Sequence, residues 1–286
     1  MEKVYDVAIV GGGVAGFEAA LALKNFRRDF LWIGAKKFGE KLLLAENVNN
    51  FLSFTGTGKE LAGLLDKHSL HEKINFTEGR IDGIYAMGGN FLLTQNKTTF
   101  TARSVILATG VETRGSLVGE REFLGRGVSY CAVCDGALYK GKRIAAVVSD
   151  RAFEEEVEYL SGFAEEVFAF CLYENARFSA PHITILKDKP ISVEGGTRVE
   201  KIVTNGGDVA VDGVFFLKNS APPSALVGGI ETENGHVKVN RDMSTNIKGL
   251  FAAGDVTGRP YQYIKAAGEG LVAAYSAHEY LNSSKA

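Results

Sequence analysis

The sequence predicts an α/β protein built from two doubly wound units, and three observations predict it. A β-branched run, Val7 to Val10, breaks into Gly11-Gly12-Gly13-Val14-Ala15-Gly16 and then into apolar residues at helical spacing. The same hydrophobic layout returns 137 residues later, where Ile144-Ala145-Ala146-Val147 and Val167-Phe168-Ala169-Phe170 match Val7-Ala8-Ile9-Val10 and Phe30-Leu31-Trp32-Ile33. Two more short apolar runs end in glycine, Ile106-Leu107-Ala108-Thr109-Gly110 and Leu250-Phe251-Ala252-Ala253-Gly254-Asp255. Alternating strand and helix patterns of this kind read as a parallel sheet with helices packed on it.

Composition bounds the function. With 286 residues, 45% of them apolar, the chain has material for two cores. Its 34 glycines exceed the average share of about 7%, and they show no collagen-like period. Thirty-two Lys plus Arg against 34 Asp plus Glu give a net charge of -2, which disfavours a nucleic-acid binder that must neutralise many phosphates. No apolar run approaches the roughly 18 residues of a membrane span, and Met1 to Asp6 lacks the layout of a signal peptide. The expectation is a soluble cytoplasmic protein with no membrane or nucleic-acid partner.

The first glycine turn has a physical reading. Gly11 allows the tight turn, Gly13 lets backbone approach a pyrophosphate, and Gly16 lets helix and strand pack closely, the Rossmann context for a dinucleotide. The phosphates then meet free N–H groups at the helix N-terminus, through Val14 and Ala15. After the next strand, Gly34-Ala35-Lys36-Lys37 lacks the acidic residue that holds an NAD ribose, which leaves a flavin dinucleotide open. Further along, Thr109-Gly110 ends one strand. Near the C-terminus, Gly254-Asp255 offers an acid beside a close-approach glycine, suited to a polyol such as ribitol; an ordinary Asp turn is the bland alternative. A helix from near Ala267 to about Leu281 would aim its positive end at a flavin pyrimidine.

Cys131-Ala132-Val133-Cys134-Asp135-Gly136 is the most informative stretch. The five histidines are scattered and no second C-x-x-C exists, so a zinc site is disfavoured. A dithiol that cycles with a disulfide fits better, one thiolate attacking an incoming disulfide and the other resolving it. Asp135 either moves the proton that exchange requires or forms an Asx turn before Gly136. Cys171, at the end of an apolar strand, reads as a structural thiol.

With these motifs in this order, the chain resembles the low-molecular-weight flavin-dependent thioredoxin reductases, two-dinucleotide-binding-domain flavoproteins, over essentially its whole length. The resemblance implies an FAD domain at 1–114 and 239–286, with a nicotinamide-domain-like unit, 115–238, inserted into it and carrying the C-x-x-C. It implies that Cys134 faces the flavin, that Cys131 exchanges with thioredoxin, and that Asp135 is the acid/base. Motifs and resemblance together place FAD against Gly11, Gly13, Val14, Ala15, Gly16, Lys41, Leu42, Asn50, Thr109, Gly110, Gly254, Asp255, Gln262, Tyr263 and Ala267. A homodimer is expected on the same ground.

The second unit departs from the family. At the 137-residue offset, Gly11, Gly13 and Gly16 become Val148, Asp150 and Phe153, and there is no glycine between Gly141 and Gly162. Glu154, Glu155 and Glu156 follow. Where NADPH-using relatives carry a His-Arg-Arg run for the 2′-phosphate, Cys171, Leu172 and Tyr173 stand. The expectation is a unit that keeps its fold and has lost its nucleotide. The chain is accordingly similar to the ferredoxin-dependent flavin thioredoxin reductases of anaerobic bacteria, also over Lys41-Leu42-Leu43-Leu44, Asn49-Asn50-Phe51-Leu52, Leu217 to Pro223 and Pro260 to Gly270. That resemblance implies ferredoxin as electron donor, FAD as cofactor and thioredoxin as acceptor. Lys24, Arg27, Arg28, Lys36, Lys37 and Lys41 form a candidate basic face for an acidic ferredoxin. A flavin-dependent dithiol oxidase, an NAD(P)H-dependent reductase with an unusual site, and a non-enzymatic flavin redox sensor are the competing readings.

Overall fold

The computed structural model describes residues 3–38, 40–43, 45, 47–96, 98–111, 117–218 and 222–283, with the side chains of Glu40, Lys41 and Cys134 outside that description. The chain divides into two compact units, Met1–Thr113 with Pro222–Ala286, and Arg114–Ala221.

In the first unit, strand Val4–Val10 pairs in parallel with Phe30–Gly34 on one side and with Thr98–Leu107 on the other. Thr98–Leu107 is long enough to serve two neighbours. Thr98 to Ala102 pair antiparallel with Asn90–Gln95, and Val105 to Leu107 pair in parallel with Leu250–Ala252. Successive side chains of a strand point to opposite faces, and the two faces of this sheet bury separate cores. Val7 and Ile9 pack with Phe17, Leu23 and Trp32 against helices Val14–Asn25 and Tyr263–Ser283. The long helix is lined with Ala273, Ala274 and Ala277 there, and such short side chains let the two helices approach closely. Ala8 and Val10 face the other way, onto Ile33, Ile84, Phe91 and Leu107.

That second face also settles where the chain returns to the first unit. Leu226, Val227, Ile230 and Val237 are buried in the core of Ala8 and Val10. The first unit therefore resumes at Pro222, earlier than the expected 239, because these apolar residues find their burial there.

The second unit is a five-stranded parallel sheet, in the order Ile183–Ile185, Glu166–Cys171, Arg143–Val148, Gly213–Leu217, Val128–Ser129, with an antiparallel meander over Pro190–Gly195, Val199–Thr204 and Gly207–Ala210. Its register repeats that of the first unit. Val7 pairs with Phe30 and Ile144 with Val167, and the match continues to Val10 with Ile33 and Val147 with Phe170. Among the described residues, no helix is long and apolar enough to cross a membrane.

Candidate functional site

The first glycine turn is built by contacts that only glycine permits. Gly11 has φ +133°, and a Cβ there would lie 2.0 Å from the Ala108 carbonyl oxygen. A Cβ on Gly16 would lie 2.1 Å from the Gly11 carbonyl oxygen, which accepts the Trp32 indole N–H at 2.8 Å. Gly13 differs from both. A Cβ on it would meet nothing within 4 Å, it precedes helix Val14–Asn25 with no side-chain cap, and the first helical turn holds no acid. The helix N-terminus is thus left with uncapped N–H groups beside open space, the arrangement that favours an anion. Val14 and Ala15 are buried, so what they can offer a ligand is backbone.

The C-terminal motif meets this turn. Gly254, at φ +85°, leaves room for Ala15, whose Cβ would be 2.9 Å from a Cβ on Gly254. Lys265 Nζ donates to the carbonyls of Gly254 (3.0 Å) and Gly258 (2.9 Å) and to Thr257 Oγ1 (2.9 Å). It also pairs with Glu269 at 3.1 Å, and Glu269 accepts the Gly254 N–H at 2.9 Å. The loop that carries Asp255 is therefore held from below by a Lys–Glu pair one helical turn apart. Burial, and then the Asp255 charge, push the Tyr263 phenol above its ordinary range. Asn50 Nδ2 donates to Gln262 Oε1 at 2.6 Å, which joins two more of the expected cofactor positions.

Other positions fall differently. The last helix begins at Tyr263, so Ala267 lies in its second turn and the positive end of its dipole is at Tyr263, not near Ala267 as the sequence suggested. Leu42 is a core side chain, 4% exposed, and the Lys41 side chain lies outside the described atoms. Thr109 and Gly110 are half-buried at a strand end, Gly110 with φ +72°. Of the candidate basic residues, Lys24 pairs with Glu72, Arg28 with Asp6 and Lys37 with Asp66, while Arg27 and Lys36 are exposed.

In the second unit, strand Val128–Ser129 leads through Tyr130 to Cys131 and a single helical turn, Ala132–Asp135, closed by the Asp135 N–H on the Cys131 carbonyl at 3.2 Å. Cys131 is disulfide-bonded and 8% exposed; the Cys134 side chain lies outside the described atoms. The Asx turn expected as the bland role of Asp135 does not form. Its carboxylate instead accepts the Ser129 hydroxyl at 2.6 Å, and the following 3₁₀ turn has no side-chain cap. Cys171 is a free, half-buried thiol that burial pushes up, which keeps it protonated at neutral pH.

The second glycine-turn equivalent is closed by its own residues. Asp150 caps a 3₁₀ turn, Arg151–Phe153, by accepting the Ala152 N–H at 2.9 Å. Val148 and Phe153 are buried. Arg151 donates to the carbonyls of Glu174 and Asn175 at 3.3 and 3.0 Å, and Tyr173 donates to Glu154 at 3.0 Å. These bonds tie the turn to the loop after Glu166–Cys171, where a nucleotide's adenosine would sit in an open Rossmann unit.

Sequence reasoning missed three residues of this unit. Ser129 is 3% exposed beside Cys131, and Glu120 is 1% exposed, bonded to the Tyr130 hydroxyl, to the Lys218 ammonium and to the Leu117 N–H at 2.9 Å. A lone Glu in a loop reads as a solvated charge, and Lys218 is separated from it by most of the unit; only the sheet brings them together.

Comparison with known proteins agrees with this architecture. The family model for pyridine nucleotide-disulphide oxidoreductases matches residues 5–149 and 173–270, passing over the stretch that holds the self-capped turn. The thioredoxin reductase of Treponema pallidum is 31% identical, with 99% of each chain covered. A ferredoxin-flavin thioredoxin reductase from Clostridium acetobutylicum superposes with a TM-score of 0.91 at 43% identity, covering 99% of this chain and 100% of that one. A second such structure from the same organism gives 0.81 at 39%, with 99% of each covered. The cofactor of these flavoproteins is FAD, and the open, uncapped turn at Gly13 fits its pyrophosphate. The chain belongs to the pyridine nucleotide-disulphide oxidoreductase family and, within it, to the thioredoxin reductases.

Proposed function

We propose that this reductase takes its electrons from reduced ferredoxin rather than from a nicotinamide nucleotide, and passes them through FAD and a Cys131–Cys134 disulfide to thioredoxin. The observation that carries this reading is the Asp150 carboxylate bonded to the Ala152 N–H, at the turn where a dinucleotide's phosphates would need that donor. A phosphate brought there would face a like charge. Two unit charges about 4 Å apart at an effective dielectric of roughly 20 repel by about 4 kcal/mol, a loss of about a thousandfold in affinity. The likeness to the Clostridium acetobutylicum ferredoxin-flavin reductases supports the donor.

Bound FAD supplies a centre that accepts electrons singly and delivers them in pairs. The chain's own residues do the rest. Gly13, Val14 and Ala15 present backbone to the pyrophosphate, and Asp255, held by the Lys265–Glu269 clamp, accepts from the ribitol hydroxyls. After reduction, the Cys131 thiol gives its proton to Asp135 and its thiolate attacks one sulfur of the thioredoxin disulfide. The bond between the two thioredoxin sulfurs breaks, and the departing thiolate takes the proton from Asp135. The Cys134 thiolate then attacks the Cys131 sulfur, which closes the enzyme disulfide and frees the second thioredoxin sulfur. Since Cys131 is only 8% exposed, its sulfur must be uncovered before thioredoxin reaches it. The reading includes a cytoplasmic homodimer, a state that sedimentation velocity measures directly.

Anaerobic flavin spectra test the donor. Bleaching by photoreduced ferredoxin, with none by NADPH or NADH, is the expected result; rapid bleaching by micromolar NADPH overturns the proposal.

A further inference from the structure

Ser129 touches both ends of the redox turn. Its side chain is 3% exposed, its Oγ lies 2.6 Å from Asp135 Oδ2, and the same Oγ accepts the Cys131 N–H at 3.1 Å. A third partner is the Cys131 carbonyl, at 3.3 Å. A hydroxyl has one proton and two lone pairs, so it cannot donate to Asp135 and to the Cys131 carbonyl at once. While Asp135 is a carboxylate, the shorter contact takes the proton, and a hydrogen bond to an ionised acceptor is the stronger of the two. When Asp135 carries a proton, its O–H is the donor in that pair, and the Ser129 hydrogen is free to turn to the Cys131 carbonyl. In both cases the Cys131 N–H keeps its acceptor.

We propose that Ser129 is a positioning residue for thiol exchange: its hydroxyl holds Asp135 in place beside Cys131 in both protonation states, by reversing the direction of one hydrogen bond. This rests on the reading of Asp135 as the group that takes the Cys131 proton and passes it to the departing thioredoxin thiolate. No further proton is consumed. The Ser129 hydrogen only changes acceptor as the Asp135 proton arrives and leaves, and the strand register Phe215 with Ser129 fixes the hydroxyl's base in the sheet.

The test is a double-substitution cycle on the FAD-loaded enzyme, reduced anaerobically with dithionite and mixed with excess oxidised thioredoxin. Ser129→Ala is expected to slow exchange about tenfold, the scale of one hydrogen bond to a charged group, with the thioredoxin concentration for half-saturation unchanged. In an Asp135→Asn background the same substitution is expected to change the rate by less than about twofold. Ser129→Thr keeps the hydroxyl and should retain the native rate, while Ser129→Val, of the same shape without it, should be slow; this pair decides the matter if the alanine variant is poorly folded. Equal slowing by Ser129→Ala in both backgrounds, or equal rates for the Thr and Val variants, overturns the inference and leaves the role of Asp135 standing. A native exchange rate for Asp135→Asn alone overturns that role, and the inference with it.

Discussion

The Asp150 carboxylate accepts the Ala152 N–H at 2.9 Å, at the position in the second unit that corresponds to Gly13 in the first. In the first unit the equivalent donors are uncapped and face open space. One turn is available to an anion and the other has satisfied itself. Removing the cap alone should not reopen the site, because buried Val148 and Phe153 and the Arg151 and Tyr173 bonds remain. Calorimetric titration of Asp150→Gly with NADPH is expected to show no saturable heat, as for the native chain; micromolar binding by the variant would show that the cap alone closes the turn.

Gly16 and Gly63 are both glycines within helices, yet they should respond oppositely to alanine. A Cβ on Gly16 would sit 2.1 Å from the Gly11 carbonyl oxygen and 2.9 Å from the Trp32 indole nitrogen, so the turn has to open. Gly16→Ala is expected to purify with little or no flavin, read from the ratio of visible to ultraviolet absorbance. A Cβ on Gly63 would meet nothing within 4 Å, in the middle of helix Gly58–His71. Gly63→Ala should keep its flavin and gain up to about 1 kcal/mol from helix propensity, measured by urea unfolding.

These two glycines also show what was legible in the sequence. Strand, turn and helix around Gly11 to Gly16 follow from residue order, because backbone freedom and hydrophobic period are local properties. The repeat register, Val7 with Phe30 and Ile144 with Val167, was readable for the same reason. The return of the chain at Pro222 was not: Leu226 and Val227 look like any short apolar pair until the sheet face that buries them exists. The last helix, expected from near Ala267, starts one turn earlier at Tyr263. Gly270 spares the helix a clash, since a Cβ there would lie 2.2 Å from the Ala15 carbonyl oxygen. The basic cluster was visible as letters, but the acids that pair with Lys24, Arg28 and Lys37 are supplied from other elements.

His278 makes the stability of the first unit depend on pH. Its Nδ1 accepts the Arg28 Nε–H at 3.1 Å and its ring lies 4.3 Å from that of Phe26, which ties the last helix to the turn after the first. Burial, and then the Arg28 charge, hold the imidazole below its ordinary value. Above about pH 6.5, the ordinary histidine value, folded and unfolded chains are both neutral there and nothing changes. As pH falls through that value the unfolded chain takes up a proton that the folded chain refuses, so stability is lost on acidification and the loss is complete below the folded value. Urea unfolding between about pH 8 and about pH 5 should show this decline, and His278→Gln, which can still accept from Arg28, should flatten it. An unchanged slope in that variant would assign the decline to other groups.

Glu120 and Lys218 form an ion pair with side chains 1% and 15% exposed, and Glu120 also takes the hydroxyl of Tyr130, the residue before Cys131. The ammonium lies 5.2 Å from the Tyr130 ring centroid and equally far from that of Phe216. A buried pair of this kind gains little over a well-packed apolar pair, because desolvation offsets the attraction, whereas removing one partner strands the other charge. Glu120→Leu or Lys218→Met alone is therefore expected to cost about 3–5 kcal/mol, and the double variant distinctly less than the sum of the two. Either variant that lacks Glu120 also removes the hydrogen bond from the Tyr130 hydroxyl to that carboxylate, which adds about 1–3 kcal/mol. Strict additivity of Glu120→Leu and Lys218→Met in urea unfolding would mean that the two charges do not depend on one another.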